Sequence, residues 1–132
     1  MKKFLEDYTN EFKKLISMKT TTVDDLIKLK KRIDKLNKSK NKIICQGNGG
    51  SAAIASHFSV DITKNAGIRS INFNESDLIT CFANDYGYEN WIKQAINFYV
   101  DPGDLVILIS SSGNSKNILN ACKYCVDNKI EV

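Results

Sequence analysis

The stretch that decides the fold is "KIICQGNGGSAAIASHF", residues 42–58. A short apolar run leads into Gly47, Gly49, Gly50 and Ser51, and a helical pattern with the chain's only histidine follows. The apolar run is typical of a buried strand, and the glycines mark a tight connection. We therefore predict a strand, a loop at its carboxyl end and a helix over residues 51–64.

The chain beyond this unit alternates strands with helices. Further strands are predicted at residues 70–73 and 104–110, with another beginning at 129–132. Helices are predicted at residues 75–83, 88–100 and 115–127. This alternation indicates an α/β fold built on an open parallel sheet with helices on both faces. The run "DLVILIS" at 104–110 is continuously apolar, as in a strand covered on both faces.

Two amphipathic helices precede the sheet. Apolar residues recur at helical spacing over residues 2–18, and Thr22 is predicted to cap a second helix with Asp24 and Asp25 in its first turn. "NKSKNK" at 37–42 is predicted to be a polar connector. We expect an N-terminal helical segment over residues 1–40, which packs on the sheet or on another subunit, and an α/β domain over 41–132.

Composition narrows the class of protein. The chain has 132 residues, 42% hydrophobic and 26% charged, as in ordinary globular domains. The N-terminus lacks a long apolar stretch, which predicts a cytoplasmic protein without a membrane span. Residues 1–40 carry a net charge of +6 and residues 41–132 a net charge of −2. Lysines interleaved with acids favour a solvated helix face, so nucleic acid is not an expected partner.

Four cysteines are predicted to be free, buried thiols. Each lies inside an apolar or helical pattern, which does not resemble a disulfide framework. Cys122 and Cys125 have CxxC spacing, but no second CxxC accompanies them. A zinc or redox role for this pair is therefore not expected.

A second loop, "SSSGNS" at residues 110–115, repeats the design of the first. Both follow buried strands and lead into helices, whose N-terminal N–H groups and dipole favour an anion. Serine hydroxyls add donors, although such residues also serve merely to cap helices. Neither loop matches GxGxxG or GxxxxGK[ST], so a small phosphorylated ligand is expected and a nucleotide cofactor is not.

His57 and Asp61 lie four residues apart on the predicted helix 51–64. This spacing places both side chains on one helix face. The pair could share a metal ion, transfer protons or form an ordinary surface hydrogen bond, and the spacing does not decide among these.

Three stretches resemble a known family. "GNGGSAAIASHF", "CFANDYGY" and "ISSSGNSKNI" are similar to motifs of the sugar isomerase (SIS) domain, in its phosphoheptose isomerase branch. That branch interconverts sedoheptulose 7-phosphate and a heptose 7-phosphate. The similarity runs from about Lys42 to Val132, and the two N-terminal helices also suit it. It implies an SIS-type, flavodoxin-like sheet and a homotetramer with sites shared between subunits.

The resemblance also implies roles for individual residues. Sugar-phosphate contacts are implied for the glycine loop, for a motif near residue 85 and for the serine loop, namely Asn48, Gly49, Gly50, Ser51, Asn84, Asp85, Ser110, Ser111, Ser112 and Ser115. His57 matches a zinc-binding histidine. Asp61 stands where the family usually has a glutamate that is both base and metal ligand.

The sequence departs from the family in two ways. Asp61 is one methylene shorter than glutamate. The chain also stops where the fourth strand begins, so it lacks the C-terminal third that in the family supplies a glutamine and a second catalytic histidine. His57 is the only histidine, which leaves either a fragment or a short form with an incomplete site.

Three hypotheses follow. The first is an aldose–ketose isomerase that produces D-glycero-D-manno-heptose 7-phosphate through an enediol, the first step of nucleotide-activated heptose synthesis, with Asp61 as base and the serine loop as anchor. The second is a non-catalytic sugar-phosphate-binding or scaffold module on the same fold. The third, a small nucleotide-binding domain, rests on the α/β pattern alone.

Overall fold

The computed structural model describes residues 1–36 and 38–132. It divides into two compact units, residues 1–35 and 36–132. The first unit is helical: α1 spans Lys2–Ile16, and α2 runs from Thr20 to Leu36 at the start of the second unit. The predicted connector at 37–42 begins at Asn37, which lies outside the described residues.

The predicted cap of α2 is wrong. The amide of Val23 donates to the carbonyl of Lys19 at 3.1 Å, so the first helical turn closes before Thr22. Thr22 is the third residue of the helix, and Asp24 and Asp25 lie beyond its first turn. All three threonines at 20–22 therefore lie inside the helix, although threonine at this point of the pattern is typical of a cap.

The second unit is an α/β fold with a three-stranded parallel sheet of order β2-β1-β3, which confirms the predicted class. Ile43 of the central strand pairs with Ser70 on one side and Leu105 on the other. The elements in chain order are β1 (Ile43–Gly47), α3 (Gly50–Ala66), β2 (Ser70–Ile71), α4 (Ser76–Tyr86), α5 (Trp91–Tyr99), β3 (Leu105–Ile109) and α6 (Lys116–Asp127).

Helices cover the central strand on both faces. Ile44 and its register partner Val106 belong to a core cluster with Trp91, Ile92 and Ile118 from α5 and α6. Alternation along the strand turns the other side chains of β1 to the opposite face, where α3 packs. Burying each large apolar side chain of the cluster stabilises the fold by about 1.5–3 kcal/mol.

The outer strands differ from their predictions. The predicted strand 70–73 pairs with β1 only over Ser70–Ile71, because the amide of Phe73 donates to the side chain of Gln46 at 3.0 Å instead of to a backbone carbonyl. In β3, Leu105 and Val106 are buried but the remaining three residues are half-buried, so double coverage was predicted for too much of this strand. The strand predicted at 129–132 is a single parallel bridge between Leu105 and Glu131.

Lys42 begins the sheet with a buried ion pair, although the sequence predicted a polar connector there. Its Nζ lies 2.5 Å from Oδ2 of Asp104 and 2.6 Å from Oδ2 of Asp101. Burial favours neutral forms, but the hydrogen bonds outweigh it: the pKa of Lys42 is raised and the pKa of Asp104 is lowered. Both charges are therefore retained inside the protein.

All four cysteines are free, but only two are buried. Burial raises the pKa of the Cys45 thiol and of the Cys125 thiol to about 11. Cys81 is exposed and Cys122 is half-buried, so the prediction of buried thiols was wrong for these two. No helix within residues 1–36 and 38–132 is long and apolar enough to cross a membrane.

Candidate functional site

The glycine loop, residues 45–51, makes a close turn from β1 into α3. A Cβ on Gly47 would lie 2.7 Å from the carbonyl carbon of Ser51, so the strand end and the helix start touch at a point where only glycine fits. Gly49 precedes the helix with a φ of 52°, a conformation that other residues rarely adopt. Asn48, Gly50 and Ser51 of the loop lie at the start of α3, where the amide of Ser51 donates to the carbonyl of Asn48 at 2.9 Å.

The serine loop, residues 110–115, folds on itself through hydroxyl groups. The amide of Gly113 donates to Oγ of Ser110 at 3.1 Å, and the amide of Asn114 donates to Oγ of Ser112 at 3.2 Å. A hydroxyl that accepts in this way keeps its own hydrogen for another acceptor. Ser111 lies exposed between them. The loop therefore offers hydroxyl donors at the carboxyl end of β3.

Ser115 is the N-cap residue of α6, yet its hydroxyl makes no capping hydrogen bond. The N-terminal turn of a helix has four N–H groups without intrahelical partners. Because Ser115 does not use its side chain to satisfy them, the hydroxyl remains available to a ligand. Helix capping alone does not account for this serine.

Two asparagines join the glycine loop to the first turn of α6, which directly follows the serine loop. Asn48 Nδ2 donates to Asn117 Oδ1 at 2.9 Å, and Asn117 Nδ2 donates back to Asn48 Oδ1 at 2.9 Å. The hydroxyl of Tyr88 reaches Asn48 Oδ1 at 3.5 Å. Gly47 and Ile109, the last residues of β1 and β3, are register partners, so the two loops start side by side. They lie at the carboxyl edge of the sheet, where open parallel sheets bind ligands.

His57 and Asp61 lie on an open face of α3. His57 Nε2 is 3.6 Å from Asp61 Oδ2, and Asn65 Nδ2 donates to Asp61 Oδ1 at 3.2 Å. The side chains are 80% and 52% exposed. They border a shallow hollow of about 460 Å³ with the apolar side chains of Ala53, Ile54 and Phe58. The hollow has room for a small ligand beside the carboxylate.

The described residues do not complete a zinc site by themselves. A catalytic zinc ion takes three protein ligands and keeps one open position. His57 and Asp61 supply two, and residues 1–36 and 38–132 contain no group of three or more His, Cys, Asp or Glu side chains suited to a metal. His57 and Asp61 alone therefore do not fit a catalytic zinc ion.

Asn84 and Asp85 lie at the exposed end of α4. Asn84 Nδ2 donates to Asp85 Oδ1 at 3.0 Å, and Cys81 Sγ is 3.8 Å from Asp85 Oδ2. Within the described parts of the chain, their side chains bond to these neighbours and to neither loop. The segment contacts the glycine loop instead through Tyr88.

Comparison with known proteins identifies the family. Residues 7–132 match the family model described as SIS domain. The chain belongs to the SIS domain family. Among solved structures, this SIS domain is similar to phosphoheptose isomerase GmhA from Neisseria gonorrhoeae, with a TM-score of 0.75, 27% identity and coverage of 94% of this chain and 70% of that one.

Relatives of this SIS domain in sequence are also phosphoheptose isomerases. It is 40% identical over 102 residues to phosphoheptose isomerase 2 of Campylobacter jejuni, and the aligned region covers 73% of this chain and 51% of the relative. It is 36% identical over 125 residues to the phosphoheptose isomerase of Trichlorobacter lovleyi, at 90% and 62% coverage. The SIS domain thus spans roughly half to three fifths of the length of these relatives.

Sequence reasoning missed two groups of this SIS domain that hold the site together. One is Asn117, which stands just after the recognised serine loop. The other is Gln46, a fully buried amide at the end of β1 that donates to Asn74 Oδ1 at 2.8 Å. Asn74 in turn donates to Ala52 O and Ser56 Oγ of α3. Gln46 lay inside an apolar run, and this burial of a polar residue was the available signal.

Proposed function

We propose that this SIS domain is the sugar-phosphate-binding part of a phosphoheptose isomerase. The reaction interconverts sedoheptulose 7-phosphate and D-glycero-D-manno-heptose 7-phosphate, as the first step of nucleotide-activated heptose synthesis. The observation that carries the proposal is the hydrogen-bonded pair of Asn48 and Asn117, which joins the glycine loop to the first turn of α6, directly after the serine loop. The phosphoheptose isomerases among its relatives support the choice of sugar.

The serine loop would anchor the phosphate. The hydroxyls of Ser110 and Ser112 accept from loop amides and keep their own hydrogens, and the Ser115 hydroxyl makes no capping bond, so these groups and the N-terminal turn of α6 would donate to the phosphate. Helix dipoles and free N–H groups stabilise an anion there. Anchoring one end of the sugar fixes the other end for reaction, which removes much of the entropic cost of the chemical step.

Asp61 would act as the base. It removes a proton from the carbon beside the carbonyl, which gives the enediol, and it returns that proton to the neighbouring carbon. Its carboxylate is half-exposed beside the hollow and is oriented by Asn65. Proton transfer between the two sugar oxygens needs an acid as well.

A second function, a non-catalytic sugar-phosphate-binding module, is favoured by one observation. The side chain of His57 is 80% exposed, and within residues 1–36 and 38–132 the carboxylate it pairs with is that of Asp61, which is a sparse set for catalysis. In that case the loops bind the sugar phosphate and no carbon-bound proton moves.

We further propose that the protein is a homo-oligomer. Phe4, Tyr8 and Phe12 of α1 stack in a row, with neighbouring ring centroids 6.4 Å apart. Their side chains are more than half exposed. A row of exposed aromatic side chains is typical of a surface that packs on another protein, and a second copy of this helix offers the same row.

Turnover of sedoheptulose 7-phosphate by the full-length gene product tests these proposals. Asp61→Asn keeps the shape of the side chain but removes the base, so we expect turnover to fall by about 10²–10⁴-fold. Inorganic phosphate should bind as before. Asp127→Asn, the same change at the exposed end of α6, is the matched control. Full activity of Asp61→Asn contradicts the assignment of the base, and phosphate binding without turnover in the unmodified protein favours the binding module.

A further inference from the structure

We infer that Asn117 is a positioning residue that fixes the glycine loop against the serine loop by holding the amide of Asn48. The two loops then bind phosphate as one unit instead of as two separate anion sites. The identity of the ligand rests on the proposed function. The coupling of the loops rests on geometry alone.

The contacts of Asn117 leave its amide with one orientation. Asn117 is 2% exposed, and its Oδ1 accepts from the amide of Ile118 at 3.0 Å as well as from Asn48. A backbone N–H can only donate, so the atom facing Ile118 must be the oxygen. The nitrogen of Asn117 is thereby directed at Asn48.

This orientation passes on to Asn48. Its Oδ1 must face the nitrogen of Asn117, and its Nδ2 must face the oxygen, with both distances at 2.9 Å. Rotating either amide by half a turn would place nitrogen against nitrogen and oxygen against oxygen, and both hydrogen bonds would be lost. One hydrogen of Asn48 Nδ2 is left for a ligand, and its direction is set by Asn117. Asn117 itself is buried and acts only by orienting Asn48.

Leaving a buried amide unpaired is costly, so removing either partner should let the loops separate. We expect Asn117→Ala to weaken binding of inorganic phosphate about tenfold. Asn48→Ala should do the same. The double variant should bind no more weakly than the weaker single variant, within about twofold, because the pair acts as one unit.

Asn120→Ala is the matched control. Asn120 lies one turn further along α6, and its amide donates to the carbonyl of Glu89 at 2.9 Å, away from both loops. Removing its amide also deletes a hydrogen bond of α6, but the variant should bind phosphate within about twofold of the unmodified protein. The inference is overturned if Asn117→Ala and Asn120→Ala bind phosphate equally well. It is also overturned if the losses of phosphate affinity in Asn48→Ala and Asn117→Ala multiply in the double variant.

A ligand-free measurement separates this inference from the proposed function. In Asn48→Ala, amide exchange at Gly113 and Asn114 of the opposite loop should speed up about tenfold, and in Asn120→Ala it should not. If phosphate fails to bind the unmodified protein, the proposed cradle is wrong, and this exchange experiment still decides the coupling. Unchanged exchange in Asn48→Ala refutes the coupling whatever the ligand.

Discussion

Lys42 and Asp104 form a buried ion pair at the amino ends of β1 and β3, opposite to the edge that carries the loops. Nζ and Oδ2 are 2.5 Å apart, and the side chains are 9% and 0% exposed. The backbone amide of Lys42 also donates to Asp104 Oδ1 at 2.8 Å. The pair therefore fastens two neighbouring strands through both a side chain and the backbone.

Lys42→Met should be strongly destabilising. It leaves the Asp104 carboxylate buried without its cation, which costs about 3–5 kcal/mol in comparable cases. Urea unfolding measures the change. Lys28→Met removes an exposed ion pair with Asp25, whose side chains are 76% and 71% exposed, and should have little effect. Equal losses for the two variants would contradict a structural role for the buried pair.

Stability should fall in acid because of Asp104. Its folded pKa is lowered below 3.8, since hydrogen bonds from Lys42 and from backbone amides outweigh the effect of burial. Its contribution is complete above the unfolded pKa of about 3.9 and is lost as the pH falls through the folded value. Urea unfolding between pH 6 and pH 2.5 measures this loss. In Asp104→Asn, the free energy of unfolding should fall less steeply below about pH 4. An unchanged slope would exclude Asp104 as the source of the acid sensitivity.

Stability should also fall in alkali, because of Lys42. Burial alone would lower its pKa, but hydrogen bonds to Asp101 and Asp104 raise it above 10.5. The contribution of Lys42 is therefore complete below about pH 10 and is lost as the pH rises through the folded value. Unfolding measured from pH 8 to pH 11.5 should show this loss in the unmodified protein and a flatter profile in Lys42→Met.

Gly47→Ala should disrupt the glycine loop. The added Cβ would meet backbone atoms of Ser51 at 2.7–2.8 Å, so β1 and α3 must move apart. We expect a loss of about 1–3 kcal/mol in thermal or urea unfolding. Gly50→Ala is the control, because a Cβ there meets nothing within 4 Å. A variant Gly47→Ala as stable as Gly50→Ala would show that the close approach is dispensable.

Tyr8→Glu should reduce self-association through α1. A carboxylate in the middle of the aromatic row would have to be buried, or left unpaired, when two copies meet. Light scattering of the unmodified protein should show an oligomer and that of Tyr8→Glu a smaller species. Asn10→Glu adds the same charge two residues away, on another side of the helix, and should leave the oligomer intact. Identical masses for both variants would exclude this helix face as the interface.

The parts of the fold that follow from local pattern were predictable. The apolar run at Ile43–Gly47 and its glycines predicted both a buried strand and the turn after it, and the structure has both. The start of α2 was not predictable in this way, because a threonine suggests a cap, whereas the helix begins at Thr20 and its first hydrogen bond is accepted by the carbonyl of Lys19. The strand at 70–73 was predicted two residues too long for a tertiary reason, since the side chain of Gln46 accepts a hydrogen bond from the amide of Phe73.

The site was predictable only as separate pieces. Each loop could be recognised from its own glycines and serines, and His57 and Asp61 from their spacing. The contact between Asn48 and Asn117 joins residues 69 positions apart, and no local pattern encodes such a distance. Lys42 illustrates the same limit, because a lysine in a polar run is expected in solvent unless the position of Asp104 is known.

The free cysteines differ in burial, so their rates of chemical modification report on local opening of the fold. Cys81 is exposed, whereas Cys45 in β1 and Cys125 in α6 are buried with thiol pKa values of about 11. A thiol-specific reagent reacts with the thiolate, so it should modify Cys81 at once and the buried pair only when the core opens. Mass spectrometry of a labelling time course would thus give separate opening rates for the central strand and for the helix that follows the serine loop.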